Sequence, residues 1–473
     1  MIKLYNTPAK AIVPFKSIHP KRVSLYSCGP TVYDRQHIGN LRKGLFDDLL
    51  KRTLQLHSYN VYSVTNITDV GHLVNDDEDT GEDKLEKGAK RENLTALEIA
   101  EKYTKLWQED LEKLNILPSD HYPKATEYIK EQINLIKRLE RKGYTYITND
   151  GVYFDTTKFS EYADFAHLNL KAQEAGARVD MGEKKSPSDF ALWKFSPKGE
   201  IRQMEWDSPW GIGFPGWHSE CVVMADSLLH APFDIHTGGK DHIPIHHTNE
   251  IAQFKADTGK PMAHYWLHSY FLTVNTAKMS KSVGTFITLD DIIDKGYSPL
   301  DLRLLVLMAH YRSDIDFSWD SLTQAKQTRQ RIIDFINRVN TIKPHRKNLK
   351  LQKLIRDTYN NFKKSLFSDL DSPKAIAHIF DFIKEVNSSI DAGDPIPRRH
   401  IIKLFQRLER VLALDLPLTK TTIPAEIMLI FNNRNQARAN KDFTQADKLR
   451  QELSNLGYII QDKDGQSTII KTK

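Results

Sequence analysis

The sequence predicts an α/β protein: a Rossmann-like parallel-sheet domain split by an α+β insertion, then an α-helical bundle and a small C-terminal domain. Three observations carry this expectation. Strand, helix and strand patterns follow one another at residues 23–29, 41–56 and 59–68, the opening of a parallel sheet. Helical and hairpin patterns then intervene before a further β-type run, FDIHTGG, at residues 233–239. From Asp320 onward nearly every segment has helical period. At 473 residues the chain has room for about three domains.

The elements are justified in order. VSLYSCG, residues 23–29, reads as a buried strand running into a Gly-Pro turn, and LRKGLFDDLLKRTLQL has the apolar spacing of a helix. YNVYSVTNIT follows as the second strand. The charge-dense stretch at residues 75–93 is expected to be a solvated loop or flap that does not pack as core. Helical patterns return in ALEIAEKYTKLWQEDLEKL and ATEYIKEQINLIKRLERKG, and YTYITNDGVYFDT carries an Asn-Asp-Gly hairpin turn. Prolines 395, 397, 417 and 424 punctuate the last third and suggest a boundary near 415–425. The expected division is 1–114 and 201–319 for the two halves of the first domain, 115–200 for the insertion, 320–415 for the bundle and 416–473 for the terminal domain.

A hydrophobic share of 40% supplies a core, and neither a bilayer-length apolar span nor a secretory leader is seen, so a soluble, cytoplasmic protein is expected. The formal charge of +6 and a pI near 8.9 lean toward a polyanionic partner. The two thiols, Cys28 and Cys221, suit metal ligation or plain burial better than a disulfide in such a chain.

Cys28 stands at the end of the first strand, where ligands of open α/β sheets collect. Cys221 lies in GWHSECVVM, and His246 and Glu250, four apart in HHTNE, share a face if that stretch is helical. His247 competes with His246 as the nitrogen donor, while His218, His236 and His242 could be core or surface histidines. Two thiolates, an imidazole and a carboxylate would suit zinc.

His37-Ile38-Gly39-Asn40 sits between a strand and a helix, a good position for phosphate: amides and dipole attract an anion, and Gly39 allows close approach. KMSKS follows at residues 278–282. Gly211, Gly213 and Gly216 spell GxGxxG, but they follow SPW rather than a β-run, so a loop presenting Trp217 and Cys221 is expected instead of a dinucleotide site.

These segments together resemble the cysteinyl-tRNA synthetases of class I, along essentially the whole chain. The resemblance rests on YSCGPTVYD, HIGN, PGWHSEC, HHTNE and KMSKS. It implies one zinc ion per chain held by Cys28, Cys221, His246 and Glu250. It implies a catalytic and ATP-binding set of His37, Asn40, Lys278 and Lys281, joined for ATP by Gly39, Gly239 and Asp241. Substrate contacts would fall to Cys28, Gly29, Thr68 and Trp217. The implied reaction joins L-cysteine to ATP, with Mg2+, and then to tRNA(Cys), in a monomer free of the membrane. Residues 434–465, with AR-x-x-KDF-x-x-AD-x-LR, resemble the anticodon-reading end of the family, where Arg434, Arg438, Lys441, Lys448 and Arg450 are candidates for phosphate contact or for a solvated face. GGKDHIPI departs from the more usual GGSDLxFP, Thr248 stands where Glu is common, and STII replaces a tryptophan-bearing terminus. Two rivals are a cysteine ligase acting on an amino sugar and an RNA-binding protein with a dead nucleotide site.

Overall fold

The computed structural model describes residues 1–70, 73–75, 80–167, 183–197, 202–274, 279, 285–345, 348–418, 424–463 and 466–471. Strands Arg22–Ser27 and Asn60–Thr65 pair in parallel, joined by the helix Ile38–Leu56. Phe233–Gly239 pairs in parallel with the other side of Arg22–Ser27, and Ala263–Ser269 completes the sheet beyond it. Phe233–Gly239 is buried over all but its last residue, as a central parallel strand covered on both faces requires. The second strand ends at Thr65, earlier than the β-pattern, so Asn66–Thr68 leave the sheet at its carboxyl end.

The intervening region holds the helix Ile129–Arg141 and an antiparallel sheet in the order Gly213–Pro215, Phe190–Phe195, Gly151–Phe154, Thr145–Ile147. The last two strands form the hairpin expected at the Asn-Asp-Gly turn. Their apolar faces share one core with the parallel sheet, in which Phe154, Leu192 and Trp193 join Tyr26, Val64 and Phe233.

Two local expectations are corrected. Within the charge-dense stretch, Lys84–Glu92 is a helix, N-capped by Asp83, whose carboxylate accepts from the Leu85 and Glu86 amides at 2.8 and 3.0 Å. Leu85, Gly88 and Ala89 lie at i, i+3 and i+4 and pack into a core with Ile99 and Tyr103. Three small or apolar positions suffice for one buried face while the others carry the charge. The glycine-rich run is not a plain loop either, because Gly213–Pro215 is a strand paired with Trp193–Phe195. A side chain at Gly213 would overlap the Lys194 carbonyl, and Pro215 is tolerated because the strand is at the sheet edge.

The chain forms two compact units. One is residues 1–335 with 343–415, which includes the sheets and most of the helical region. Here Phe335, Phe382 and Phe405 meet ring to ring between helices. The other is residues 336–342 with 416–473. It contains the helices Ala425–Ala439 and Phe443–Asn455 and the hairpin Tyr458–Lys463 with Gln466–Lys471, around Ile427, Phe431, Leu453, Tyr458 and Ile460. Arg434 is buried there, with Nη1 and Nη2 on the Asp462 carboxylate at 2.9 and 2.5 Å, so it is a structural cation rather than part of an exposed basic face. Lys441, Lys448 and Arg450 are exposed.

Candidate active site and metal centre

Strands Arg22–Ser27 and Phe233–Gly239 are neighbours whose onward connections run to opposite sides of the sheet, which leaves a crevice at their carboxyl ends. A cavity of about 590 Å³ opens there. Cys28 and Gly29 follow the first strand into its wall, Thr68 follows the second, and Gly239 ends the third. His37, Gly39, Asn40, Trp217, Cys221, Asp241 and His246 line the same cavity. Residues drawn from four separate stretches of sequence therefore meet in one place.

The HIGN segment opens the helix Ile38–Leu56 with His37 as its N-cap. The His37 amide donates to Asn40 Oδ1 at 3.3 Å, and the Asn40 amide donates to His37 Nδ1 at 3.2 Å. This reciprocal box orders the first turn beside the cavity, where helix dipole and amides favour an anion. With Nδ1 accepting, a neutral His37 ring carries its proton on Nε2. A Cβ at Gly39 would lie 2.8 Å from the His37 ring. At the third strand, Gly239 N-caps the short helix Lys240–His242, with Asp241 exposed on the cavity wall. Lys278 and Lys281 lie outside the described residues, but Met279 between them is buried and lines the cavity.

Helix residue Lys43, one turn past Asn40, was not singled out from sequence. Its Nζ donates to the Cys28 carbonyl at 2.6 Å and to Ser27 Oγ, and it pairs with Asp47 at 2.8 Å. The helix that begins at the anion position thus also holds the backbone of Cys28.

Cys221 lies on the helix Trp217–Leu229, and His246 on the single wide turn Ile243–His247 that leads into the helix Thr248–Thr258, which carries Glu250. His246 Nε2 is 2.7 Å from Glu250 Oε1. The sulfurs, imidazole nitrogen and carboxylate oxygen of Cys28, Cys221, His246 and Glu250 lie within 4.8 Å of one another. A second set, Cys28, His236, His247 and Glu250, meets the same criterion. Sequence reading gave His236 no such position. His247 also approaches Cys28 Sγ with Nε2 at 3.4 Å and meets His268 Nε2 with Nδ1 at 2.8 Å. Cys28, Cys221 and His246 border the cavity, whereas His236 and His247 are not on its wall. Trp217 covers His246, ring centroids 4.3 Å apart.

The electrostatics suit a cation. Burial pushes both thiols up, and Cys221 rises further because the Cys28 sulfur is beside it. Burial also opposes charge on Glu250, yet His236 and His246 hold its carboxyl well below the usual range. His246 is driven the other way: burial disfavours its charge, but Glu250 and Cys221 push it up to about 10. Burial lowers His242 to about 3 and holds His247 and His268 well below the ordinary imidazole value. The cluster without metal therefore retains protons that a divalent cation would displace. Sulfur, nitrogen and oxygen donors in this proportion fit zinc.

The chain matches the family model for the class I (C) tRNA synthetase catalytic domain over residues 14–327, the DALR domain over 361–416, and the cysteinyl-tRNA ligase anticodon binding domain over 421–469. It is similar to a cysteine–tRNA ligase of Treponema denticola, 40% identical with 99% of each chain covered. Cysteine–tRNA ligase 1 of Burkholderia lata is 42% identical, covering 98% of this chain and 95% of the relative. Among solved structures, methionyl-tRNA synthetase of Mycobacterium tuberculosis bound by methionyl-adenylate has a TM-score of 0.58 at 14% identity, covering 90% of this chain and 96% of that one, a likeness of fold. Family models that tile the chain and relatives that span it end to end agree with the crevice just described: the chain belongs to the cysteinyl-tRNA synthetase family of class I aminoacyl-tRNA synthetases.

Proposed function

We propose that the chain is a cysteine–tRNA ligase, which converts L-cysteine and ATP to cysteinyl-adenylate and diphosphate and then passes the cysteinyl group to tRNA(Cys), releasing AMP. The observation that carries this reading is the convergence of the HIGN helix start and the two-cysteine cluster on one cavity. A carboxylate oxygen of cysteine attacks the α-phosphorus of ATP, and the bond to the diphosphate leaving group breaks. In the second step a terminal ribose hydroxyl of the tRNA attacks the carbonyl carbon, AMP leaves, and the hydroxyl proton goes to solvent or to the departing phosphate.

Neither step needs a protein nucleophile, so the chain's work is alignment and neutralisation of charge. His37 Nε2–H and the first-turn amides face the phosphates, Gly39 and Asn40 shape that turn, and Gly239 with Asp241 holds the nucleoside. Lys278 and Lys281 supply positive charge to the diphosphate alongside Mg2+. Cys28, Cys221, His246 and Glu250 would hold one zinc ion. We prefer this donor set because three of its four members border the cavity and it contains both thiols. When bound, the ion would supply a borderline-soft Lewis acid that accepts a thiolate readily and a protonated alcohol poorly. Gly29 and Thr68 flank the amino-acid site, and Trp217 excludes water from it.

Residues 1–114 and 201–319 form the catalytic domain around an insertion at 115–200, residues 320–415 form the bundle, and residues 416–473 read the anticodon. No helix among the described residues is long and apolar enough to cross a membrane. We place the protein in the cytoplasm as a monomer. The test is ATP-dependent transfer of labelled cysteine to a tRNA(Cys) transcript. Adenylate formation without charging would favour a ligase with another acceptor, and no cysteine-dependent chemistry at all would leave an RNA-binding protein.

A further inference from the structure

A second cavity, of about 180 Å³, lies between the N-terminal segment, the stretch around Phe165 and the end of the strand Ala263–Ser269. Tyr5, Phe165 and Tyr270 give it aromatic walls, and Thr7, Lys10 and Arg312 give it donors. Among the described residues that line it there is no carboxylate. Arg312 is fixed from behind: Nε and Nη2 donate to Asp369 Oδ2 at 2.9 and 2.5 Å, and the Tyr5 ring centroid is 4.3 Å from the guanidinium carbon. Asp369 is buried and also accepts from the Tyr5 amide at 2.8 Å and the Tyr311 hydroxyl at 2.6 Å. This leaves Arg312 Nη1 without a hydrogen-bond partner among the described residues. The Lys10 side chain is exposed and pairs with no carboxylate among the described residues. His268, also on the wall, has both ring nitrogens engaged, Nδ1 with Thr7 Oγ1 at 2.7 Å and Nε2 with His247 Nδ1 at 2.8 Å. It shapes the cavity without adding a donor. Asp369 balances one of the two cations, so the wall keeps a positive excess.

We propose that this second cavity binds a phosphoryl group, as inorganic phosphate or as the ester of a small flat molecule, with Arg312 Nη1, the Lys10 ammonium and the Thr7 hydroxyl as donors. A planar carboxylate is best met by the two-pronged edge of a guanidinium, and in Arg312 that edge is spent on Asp369. What remains is three single donors, two on the N-terminal segment and one on Arg312, which suits an oxyanion whose oxygens point in several directions. The volume is below the roughly 300 to 1,000 Å³ of sites for larger ligands, so the occupant is small. Tyr270 lines both cavities, which places this site beside the catalytic crevice and outside it. The inference stands apart from the ligase reading.

The experiment titrates inorganic phosphate, phenyl phosphate and benzoate into full-length protein by calorimetry, with the catalytic crevice first saturated by a non-hydrolysable ATP analogue. Wild type should bind inorganic phosphate saturably with a Kd of about 1 mM or below. Lys10→Gln should weaken both phosphates by about threefold and Lys10→Glu by about tenfold or more, a graded loss that follows charge. Lys10 stands at φ 47°, and Gln and Glu meet the same backbone cost there as lysine, so both variants should keep the wild-type urea midpoint. Phenyl phosphate binding tighter than inorganic phosphate supports an organic ester as the occupant, and the reverse order supports free phosphate. No saturable binding by about 10 mM phosphate, benzoate binding tighter than phenyl phosphate, or Lys10→Glu within about twofold of wild type would overturn the proposal.

Discussion

Arg303 offers a demanding stability test because its guanidinium and the Asp48 carboxylate it pairs with are fully buried. Arg303 donates from Nε to the Leu412 carbonyl at 2.6 Å and from Nη1 to the Leu114 carbonyl at 2.9 Å. Asp48, on the helix that opens with HIGN, also accepts from Arg52 Nε and from the Leu117 amide, each at 2.8 Å. One cation thus ties the HIGN helix to the end of the helix Arg398–Leu412 and to the turn at Leu114. Replacing Arg303 by Met leaves Asp48 compensated by Arg52 and takes the guanidinium donors from the Leu412, Leu114 and Val411 carbonyls, a cost of about 2 to 3 kcal/mol. Replacing Asp48 by Asn leaves Arg303 buried with neutral acceptors only, the costlier defect at about 3 to 5 kcal/mol. Urea unfolding followed by circular dichroism measures both, with the slope expected to be unchanged. Losses below about 1 kcal/mol for both variants, or Arg303→Met the more damaging, would refute the reasoning.

Three further outcomes follow from the site. Lys281→Ala should slow single-turnover adenylate formation by about a hundred- to a thousandfold, as loss of one transition-state donor does, and a fall under about tenfold would remove it from the chemistry. Removing residues 420–473 should spare cysteine-dependent exchange of diphosphate into ATP and badly weaken charging of tRNA, and equal charging by both forms would defeat the anticodon assignment. Elemental analysis separates the two donor sets: Cys221→Ala should lose bound zinc while His236→Asn retains about one ion per chain, and the reverse pattern would move the ion to His236 and His247.

The parts legible in the sequence were those with local signals. The strand at 233–239 and the helix at 41–56 announce themselves by apolar pattern, and the HIGN cap by residue chemistry at a strand-to-helix junction. Lys84–Glu92 was hidden because its buried face needs only Leu85, Gly88 and Ala89 amid lysines and glutamates. The strand Gly213–Pro215 was hidden because its pairing with Trp193–Phe195 is a tertiary fact, and glycine and proline argue against a strand locally. In the site, the presence of only two cysteines and the His246–Glu250 interval marked candidate donors with His247 as a rival to His246, and the family resemblance alone chose among them. His236 joined them only through the parallel register that sets it beside Tyr26 and Trp266. Lys43 is likewise a polar residue whose partners at Ser27 and Cys28 lie off its own helix, so no periodicity marks it.

The central claim is that the cavity activates cysteine and selects it by its sulfur. Shape alone separates cysteine from serine by about 1 to 3 kcal/mol, or about 10- to 200-fold. Thiolate ligation by a borderline-soft zinc ion, as proposed above, would add a difference in chemistry on top of that. The measurement is the steady-state rate of amino-acid-dependent diphosphate exchange into ATP by zinc-loaded protein, compared as kcat/KM for cysteine and for serine. The account predicts exchange with cysteine and a preference over serine well beyond about 200-fold. Exchange with serine within about tenfold of cysteine, or none with cysteine, would contradict it.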